Sequence, residues 1–312
     1  MEGRIIKNNS GVYTIKANGN YYEAIGSGKL RYMKVDTKSE FNKNNTFKTK
    51  LENKRMKISP KVGDIVIFNQ VDKKYVINEV KPRKNDLIRP LVANVDQIIL
   101  IFSAKEPDFD SYLLDQFIVL MEKENVDVKI VVTKIDLLDK EELDNLKKTM
   151  AYYNSIGYPS YLISNKTKEG ISEVKSLFKD KLSILSGQTG AGKSNSINNL
   201  IDGLFLKTAE ISQALGRGKH TTRVSELFEF ENGLIGDTPG FSKLSFFILD
   251  AKDLKYYFKE FENDKCLFNN CVHDKEKGCY IKEAVLEGKI LKSRYDNYLK
   301  FYNELLNVKK KY

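Results

Sequence analysis

Short apolar runs separated by Lys- and Asn-rich connections characterise the first 85 residues of the chain. Five of these runs contain β-branched or aromatic residues and follow one another at intervals typical of hairpins. Five short strands with long basic connections are typical of a small Greek-key barrel of the OB type. The pattern therefore predicts an N-terminal OB-type β-barrel with strands near residues 4–6, 12–15, 21–22, 62–68 and 75–77.

Continuous apolar runs in the middle of the chain indicate buried strands of an α/β sheet. Such runs occupy residues 128–132, 161–163, 182–185 and 233–236, and each leads into a polar or Gly-rich turn. Ligands of α/β sheets bind at the carboxyl ends of strands. We therefore expect the chemistry of this region in the turns that follow these runs.

Near the C-terminus, apolar and charged residues alternate at helical spacing over residues 251–262 and 284–306. This spacing predicts two helices. We expect one face of the second helix to form a core with the segment that precedes it, whereas a binding platform of tyrosines is the alternative. This face would consist of Tyr295, Tyr298, Leu299, Tyr302, Leu305 and Leu306.

The turn after residues 182–185 reads Gly-Gln-Thr-Gly-Ala-Gly-Lys-Ser and fits the phosphate-loop pattern. Its glycines let backbone N–H groups surround a polyphosphate, Lys193 can reach the β- and γ-phosphates, and the Ser194 hydroxyl can hold Mg²⁺. A Gly-rich turn without a ligand is the alternative. The spacing predicts that a nucleoside triphosphate is bound by Gly187, Gln188, Thr189, Gly190, Ala191, Gly192, Lys193, Ser194 and Asn195.

Two further segments complete a site for Mg²⁺ and the γ-phosphate. Asp237 begins an Asp-Thr-Pro-Gly motif and would supply the acidic group near Mg²⁺, while Gly240 can offer its backbone N–H to the γ-phosphate. The basic segment 216–223 matches a loop that wraps the γ-phosphate, although a plain surface loop is the alternative. Either Thr221 or Thr222 would reach Mg²⁺, and we prefer Thr222.

The residue that would orient the attacking water is missing from its usual place. Many GTPases have a Gln directly after the Asp-x-x-Gly motif, and this chain has Phe241. Either a partner completes the site or the neutral imidazole of His220 orients the water. An exposed His without a catalytic role is the alternative. The predicted catalytic residues are Lys193, Ser194, His220, Thr222 and Asp237.

Guanine recognition is predicted at the turn after residues 128–132, which reads Thr-Lys-Ile-Asp. Asp136 would accept from N1–H and the exocyclic amine of guanine, whereas adenine would leave donors and acceptors mismatched. Thr133 and Lys134 complete this motif, and Ser164 with Asn165 form the second base-contacting loop. Because these loops precede the phosphate loop, the chain is predicted to be a circularly permuted GTPase, as strands can pair identically when the chain is cut at another loop.

All three cysteines and the second histidine lie within fourteen residues of each other. Three thiolates and one imidazole make a closed tetrahedral shell, the type that holds structural zinc and leaves no position for water. A disulfide framework favours an even number of cysteines and a secretory signal. Coincidental clustering of reduced thiols is the alternative. The predicted zinc ligands are Cys266, Cys271, His273 and Cys279.

The positive charge of the chain lies in its first part. Of a formal net charge of +10, residues 1–85 contribute 19 Lys and Arg against 8 Asp and Glu. This excess favours RNA as a partner of the barrel, although a basic surface that confers only solubility is the alternative. No apolar run approaches bilayer length and no signal peptide is evident, so we expect a cytoplasmic monomer with no membrane contact. We expect residues 81–89 to form the linker after the barrel.

Taken together, these motifs resemble the ribosome small-subunit-dependent GTPase A family (RsgA, also called YjeQ). The resemblance rests on the permuted order, the Gly-Arg-Gly-Lys-His-Thr-Thr loop and the C-x4-C-x-H-x5-C spacing, and it covers nearly the whole chain. It implies an OB barrel that contacts ribosomal RNA, GTP hydrolysis stimulated by the small ribosomal subunit, Mg²⁺ and one structural Zn²⁺. Thr133 departs from the commonest motif, which has Asn there, and this predicts weaker guanine affinity.

The predicted architecture is multidomain α/β with three parts. An OB-fold RNA-binding domain spans residues 1–83, a circularly permuted P-loop GTPase domain spans 84–246, and a helical zinc-binding domain spans 247–312. The leading hypothesis is a GTP-dependent switch that acts late in small-subunit maturation. A constitutive RNA-binding scaffold with structural nucleotide and an ATP-dependent enzyme are the alternatives.

Overall fold

The computed structural model describes residues 1–28, 30, 33–34, 55–56, 59–87, 91–192, 226–237 and 249–309. The chain divides into two compact units. Unit 1 contains Met1–Gln97, Ser176–Leu185 and Gln213–Phe241, and unit 2 contains Ile98–Lys175, Ser186–Ser212 and Ser242–Tyr312. Within the described ranges, no helix has both the length and the hydrophobicity that crossing a bilayer requires.

Five strands of unit 1 form a closed barrel in the order β1-β2-β3-β7-β6. Strand β3 pairs with β7 in parallel, the other pairs are antiparallel, and β1 closes the barrel against β6. This connectivity confirms the predicted OB-type barrel. The strands are β1 (Glu2–Asn9), β2 (Val12–Ala17), β3 (Asn20–Gly26), the short pair β4 (Met33–Lys34) and β5 (Arg55–Met56), β6 (Ile65–Val71) and β7 (Lys74–Val80).

Alternation along these strands builds the barrel core. Ile5, Tyr13, Ile15, Val66 and Phe68 belong to one buried cluster, and the residues between the buried positions of β2 and β6 remain partly accessible. The strand predicted at residues 62–68 begins later, at β6, because a turn precedes it. In this turn the carboxylate of Asp64 accepts from the backbone N–H of Lys61 at 2.8 Å.

The segment expected to be a linker is bonded to the rest of unit 1. Arg83 donates to both carboxylate oxygens of Asp64, at 2.7 and 2.8 Å, and also to Asp86 at 2.8 Å. The next residues form a small antiparallel pair, β8 (Asp86–Leu87) and β9 (Val92–Ala93). A paired Arg and a hydrogen-bonded strand fix this segment more tightly than a free connection would.

The remaining strands form a six-stranded sheet in the order β12-β11-β10-β13-β15-β14. These strands are β10 (Gln97–Ser103), β11 (Asp127–Thr133), β12 (Ser160–Leu162), β13 (Leu182–Gly187), β14 (Phe228–Phe230) and β15 (Gly233–Asp237), and they accompany the helices α1 (Ser111–Lys123), α2 (Lys140–Ser155) and α3 (Ile171–Ser176). All seven residues of β10 are buried. Parallel pairs join β11 to β12 and β13 to β15, as the continuous apolar runs predict.

The C-terminal helices differ from the prediction in two places. The helix predicted over residues 284–306 is divided into α4 (Tyr280–Leu286) and α5 (Lys292–Lys309), because Gly288, with φ +74°, terminates the first of them. Residues 251–262 contain only the 3₁₀ helix Leu254–Tyr257; a second 3₁₀ helix spans Asn263–Lys265. Tyr298 and Leu305 on the predicted face are buried, whereas Leu306 is exposed.

Candidate functional site

The predicted phosphate loop leaves β13 through a sharp turn at Gly187. The φ of this residue is +126°, which favours glycine, and a Cβ here would lie 2.2 Å from the carbonyl oxygen of Ile101. Both the dihedral angle and the available space therefore require glycine. The backbone N–H of the next residue, Gln188, donates to the same carbonyl at 3.0 Å, which holds the start of the loop against β10.

Gln188 uses its side chain to hold the loop in place. Its Oε1 accepts from the backbone N–H of Ser103 at 3.2 Å, and its Nε2 donates to the carbonyl of Asp108 at 2.7 Å. The residue is almost completely buried. Both ends of the amide therefore bond the backbone around the 103–110 segment, a role that the sequence prediction of a nucleotide contact did not include.

Thr133 joins the predicted base-contacting turn to the phosphate loop. The residue is fully buried at the end of β11, and its hydroxyl donates to the carbonyl of Ala191 at 2.7 Å. Ala191 is also buried and lies two positions before Lys193. The structure thus places the first residue of the Thr-Lys-Ile-Asp motif against the phosphate loop, where its hydrogen bond holds the backbone of Ala191 in place.

The second base-contacting loop lies next to the first. Ser164 is buried, and its hydroxyl donates to Oδ1 of Asp136 at 2.6 Å. A carboxylate oxygen has two lone pairs, so Oδ1 can still accept from a base, as can Oδ2. The Nδ2 atom of Asn165 lies 3.8 Å from where a Cβ on Gly192 would be. The two predicted base-contacting turns and the end of the phosphate loop therefore meet.

Lys134 has a left-handed backbone conformation, with φ +61°, between β11 and the 3₁₀ helix Ile135–Leu137. Its ammonium group donates to the carbonyl of Glu106, in the segment that Gln188 also bonds. The stem of Lys134 therefore spans from one turn to the next. The contact of Lys134 with a bound base stays a prediction.

Part of the predicted site lies outside the described residues. This applies to Lys193, Ser194, Asn195, His220, Thr221, Thr222, Gly240 and Phe241. Asp237 is the last residue of β15, where its backbone is in register with Leu185 of β13. Within unit 1, Asp237 therefore lies at the carboxyl end of β15, level with Leu185 on the parallel strand β13.

The cysteine cluster of unit 2 has the donor set and spacing of a tetrahedral metal site. One ligand atom from each of the four residues lies within 4.8 Å of all the others, and all four side chains are buried. Sulfur atoms of Cys266 and Cys279 lie 3.5 and 3.4 Å from Nδ1 of His273. Typical Zn–S and Zn–N bonds at tetrahedral angles give about 3.6 Å for this separation. None of the three cysteines forms a disulfide.

Burial acts on the protonation of these ligands. It raises the pKa of the Cys271 thiol to about 12, and burial together with the nearby Lys255 lowers the pKa of His273 to about 4. The imidazole is thus neutral at pH 7, the form that binds a metal. A divalent cation bound here would supply the positive charge that buried thiolates require.

Polar groups around the cluster fix its backbone. Tyr295 donates to the carbonyl of His273 at 2.7 Å, and Tyr298 donates to the carbonyl of Val272 at 2.8 Å. Glu276 accepts from the N–H groups of Val272 and Asp274, at 2.7 and 2.9 Å. The tyrosines predicted as core therefore pack on this segment. Sequence reasoning missed Glu276, because contacts to backbone N–H groups leave no signal in residue spacing.

A fully buried ion cluster was not predicted either. Arg294 on α5 donates to Asp115 on α1 at 2.7 Å and to both oxygens of Glu260, at 2.7 and 3.0 Å. Tyr153 and Asn297 also donate to Asp115, each at 2.7 Å. This cluster binds the cysteine-containing part of unit 2 to the helices beside the predicted base-contacting turns.

Comparisons with known proteins show which family the chain is similar to. The RsgA GTPase family model matches residues 80–247. The chain is 44% identical to a small ribosomal subunit biogenesis GTPase RsgA of Phytoplasma australiense over 284 residues, 90% of this chain and 91% of that protein. It is 42% identical to the small ribosomal subunit biogenesis GTPase RsgA 2 of Oceanobacillus iheyensis over 314 residues, 100% of this chain and 99% of that protein.

Two solved structures share the fold. One is YloQ, a circularly permuted GTPase, with a TM-score of 0.76, 34% identity, and coverage of 98% of this chain and 95% of that one. The other is YjeQ from Thermotoga maritima, with a TM-score of 0.78, 33% identity, and coverage of 98% of both chains. The likeness to a circularly permuted GTPase confirms the permuted fold that the motif order predicts.

Proposed function

The chain belongs to the RsgA GTPase family, and on this premise we propose that it hydrolyses GTP during late maturation of the small ribosomal subunit. The observation that carries the proposal is the hydrogen bond from Thr133 to Ala191, because it joins a guanine-reading turn to a phosphate loop. The full-length similarity to relatives named for small-subunit biogenesis supports the ribosomal role. We further propose a cytoplasmic monomer whose affinity for ribosomal RNA depends on the bound nucleotide.

In the proposed reaction, the chain's own groups hold GTP and orient it. Asp136, held by Ser164, accepts from the guanine edge, while Lys193 and the loop N–H groups bind the phosphates. Ser194, Thr222 and Asp237 would hold Mg²⁺, which neutralises charge on the β- and γ-phosphates when bound. Gly240 would donate its N–H to the γ-phosphate, and His220 would orient water where Phe241 cannot.

We also propose the division into three domains, at residues 1–83, 84–246 and 247–312, with one structural zinc in the last. Cys266, Cys271, His273 and Cys279 would supply all four ligands. With no position left for water, the ion would stabilise the fold and take no part in hydrolysis. Support for zinc comes from the mixed sulfur and nitrogen donor set and from the separations of these atoms.

The decisive experiment compares GTP turnover with and without purified small ribosomal subunits. We expect faster turnover with subunits, because a partner is needed to complete a site that has Phe241 in place of Gln. The Lys193→Ala variant is the control for contaminating hydrolases. Equal slow rates under both conditions would contradict the stimulated mechanism. Equal subunit affinity with GDP and with a non-hydrolysable GTP analogue would favour the alternative, a constitutive scaffold.

Substitution of Asp136 by Asn tests base recognition directly. The amide should donate to the 2-oxo group of xanthine and should no longer accept from the guanine amine. A lost hydrogen bond to a charged group contributes about 1.5–3 kcal/mol, so we expect roughly ten- to hundredfold weaker GTP binding and a gain for xanthosine triphosphate. Competition between the two nucleotides measures this. Unchanged preference for GTP would remove Asp136 from the base site.

A further inference from the structure

The outer face of the barrel is paired with two carboxylates from beyond the barrel. Lys7 on β1 lies 3.0 Å from both carboxylate oxygens of Glu226. Lys16 on β2 lies 2.8 Å from a carboxylate oxygen of Glu229, on β14. All four residues belong to unit 1. Two of the lysines that give the barrel its positive charge are therefore already neutralised within the chain.

Backbone contacts fix the position of these carboxylates. Lys7 and Glu226 form an antiparallel β-bridge, and the N–H of Leu227 donates to the carbonyl of Ile6 at 2.7 Å. Leu227 is buried. The segment 226–229, which carries the two acidic residues, is thus held against β1 by main-chain pairing at Glu226 and Leu227, and this pairing places the carboxylates beside the lysines.

One of the two paired lysines, Lys16, lies on a strand that OB barrels offer to nucleic acid. Such barrels bind oligonucleotides on their second and third strands. Lys16 on β2 is directly opposite Tyr21 on β3, and neither side chain is in the barrel core. Tyr21 is 54% exposed, which suits stacking on a base, and its hydroxyl donates to Glu229. One carboxylate therefore bonds both a phosphate-binding cation and a base-stacking ring.

We propose that Glu226 and Glu229 act as an internal competitor of RNA, so that RNA phosphates must displace these carboxylates from Lys7, Lys16 and Tyr21. This inference rests on the proposed function, because it assumes that the barrel binds ribosomal RNA. It adds a site of regulation to that function. RNA that displaces the carboxylates acts on the strand pair β14–β15, which ends at Asp237.

RNA binding at the barrel and changes at Asp237 should influence each other. Coupling between two binding sites is reciprocal, so a change at Asp237 that shifts β14 also alters how strongly the carboxylates cover the barrel. Strand β14 follows the segment 216–223, predicted to wrap the γ-phosphate, and precedes Asp237. Nucleotide state and RNA affinity thus share one short stretch of chain, residues 226–237.

The competition is weak enough to be reversible. Both ion pairs are partly exposed, with side-chain exposures of 32–44%. Exposed pairs of this kind are individually weak and are screened by salt. An RNA that releases condensed counterions from several phosphates can therefore displace them. Removing both carboxylates should strengthen RNA binding by about three- to tenfold.

The test uses the full-length chain and the double substitution Glu226→Gln with Glu229→Gln. Binding to a single-stranded RNA oligonucleotide and to purified small ribosomal subunits is measured at one fixed salt concentration. We expect about three- to tenfold tighter binding than for the unaltered chain, and a partial gain for each single variant. The matched control for each single variant is Glu231→Gln, which removes the same single negative charge from the turn between β14 and β15.

Two comparisons decide the outcome. If Glu231→Gln matches the gain of either single variant, Glu226→Gln or Glu229→Gln, net charge explains the effect and the competition is overturned. If Lys16 becomes available to RNA, Lys16→Gln should cost more affinity in the Glu229→Gln background than in the unaltered chain, and equal costs would also overturn it. Unchanged binding by the double variant refutes the inference alone, whereas no RNA or subunit binding by any form refutes the proposed function.

Discussion

Arg294→Met should destabilise unit 2 by about 3–5 kcal/mol, the range for a buried ion pair that loses one partner. The substitution preserves most of the side-chain volume and leaves the carboxylates of Asp115 and Glu260 buried without their cation. Burial alone would lower the pKa of Arg294, but these two carboxylates raise it well above its usual value, so the guanidinium is charged. Urea unfolding followed by helical circular dichroism measures the change.

A matched control comes from the same helix. Lys292 pairs with Asp296 at 2.6 Å, but both side chains are largely exposed. Lys292→Met should therefore change stability by no more than about 0.5 kcal/mol. A second comparison adds Asp115→Asn to Arg294→Met, which should restore part of the loss because one unpaired charge is removed. If Arg294→Met and Lys292→Met were equally stable, the buried cluster would have no net role in stability.

The barrel could be predicted from the sequence because its signals are local. Alternating apolar positions and short spacing placed four of the five predicted barrel strands within observed strands. The fifth prediction, residues 62–68, began too early because it included the turn that Asp64 closes before β6. The order of the GTPase motifs predicted the permutation, since each motif is a short string of residues with a fixed chemical task. Each motif can be recognised, and has the same chemical role, wherever it stands in the chain order.

Other features depend on contacts between distant residues, and the sequence alone could not reveal them. Arg294 and Asp115 are 179 positions apart, so no spacing rule connects them. Residues 251–262 have helical periodicity, yet Phe258 and Phe261 are apolar because they pack on Tyr298, with ring centroids 5.3 and 5.0 Å away. The periodicity there reflects tertiary packing and was wrongly interpreted as a helix.

In the base-contacting turn, the residue type was predicted but one role was incomplete. Thr133 was expected to contact the nucleotide, and weaker guanine affinity was expected because Thr replaces Asn. The structure shows its hydroxyl bonded to Ala191. This hydrogen bond fixes the backbone of the phosphate loop at Ala191, a role that cannot be inferred from a four-residue motif. Only the packing of β11 against that loop reveals it.

Loss of zinc is the second large effect, and Cys271→Ser tests it. Serine keeps the size of the side chain but removes a thiolate ligand, so the zinc content should fall from about one per chain to near zero. Structural zinc contributes roughly 10–16 kcal/mol to the folding of small zinc-finger peptides. We therefore expect the segment around residues 266–279 to unfold first on heating, well below the temperature of the unaltered chain. Elemental analysis and thermal unfolding measure the two effects.

The more demanding part of this prediction concerns GTP. The segment that carries the cysteine cluster contacts α5 through Tyr298. Helix α5 contacts α1 through Arg294 and through the tilted ring pair of Phe301 and Tyr112, whose centroids are 4.8 Å apart. The 103–110 segment that precedes α1 is bonded by Gln188, so a physical connection to the phosphate loop exists. The donors and acceptors of these two bonds all lie outside residues 266–279. We therefore expect Cys271→Ser to retain most of its GTP affinity, with chelator-treated unaltered protein behaving alike. Complete loss of GTP binding in both would mean that the metal module supports the nucleotide site through α1.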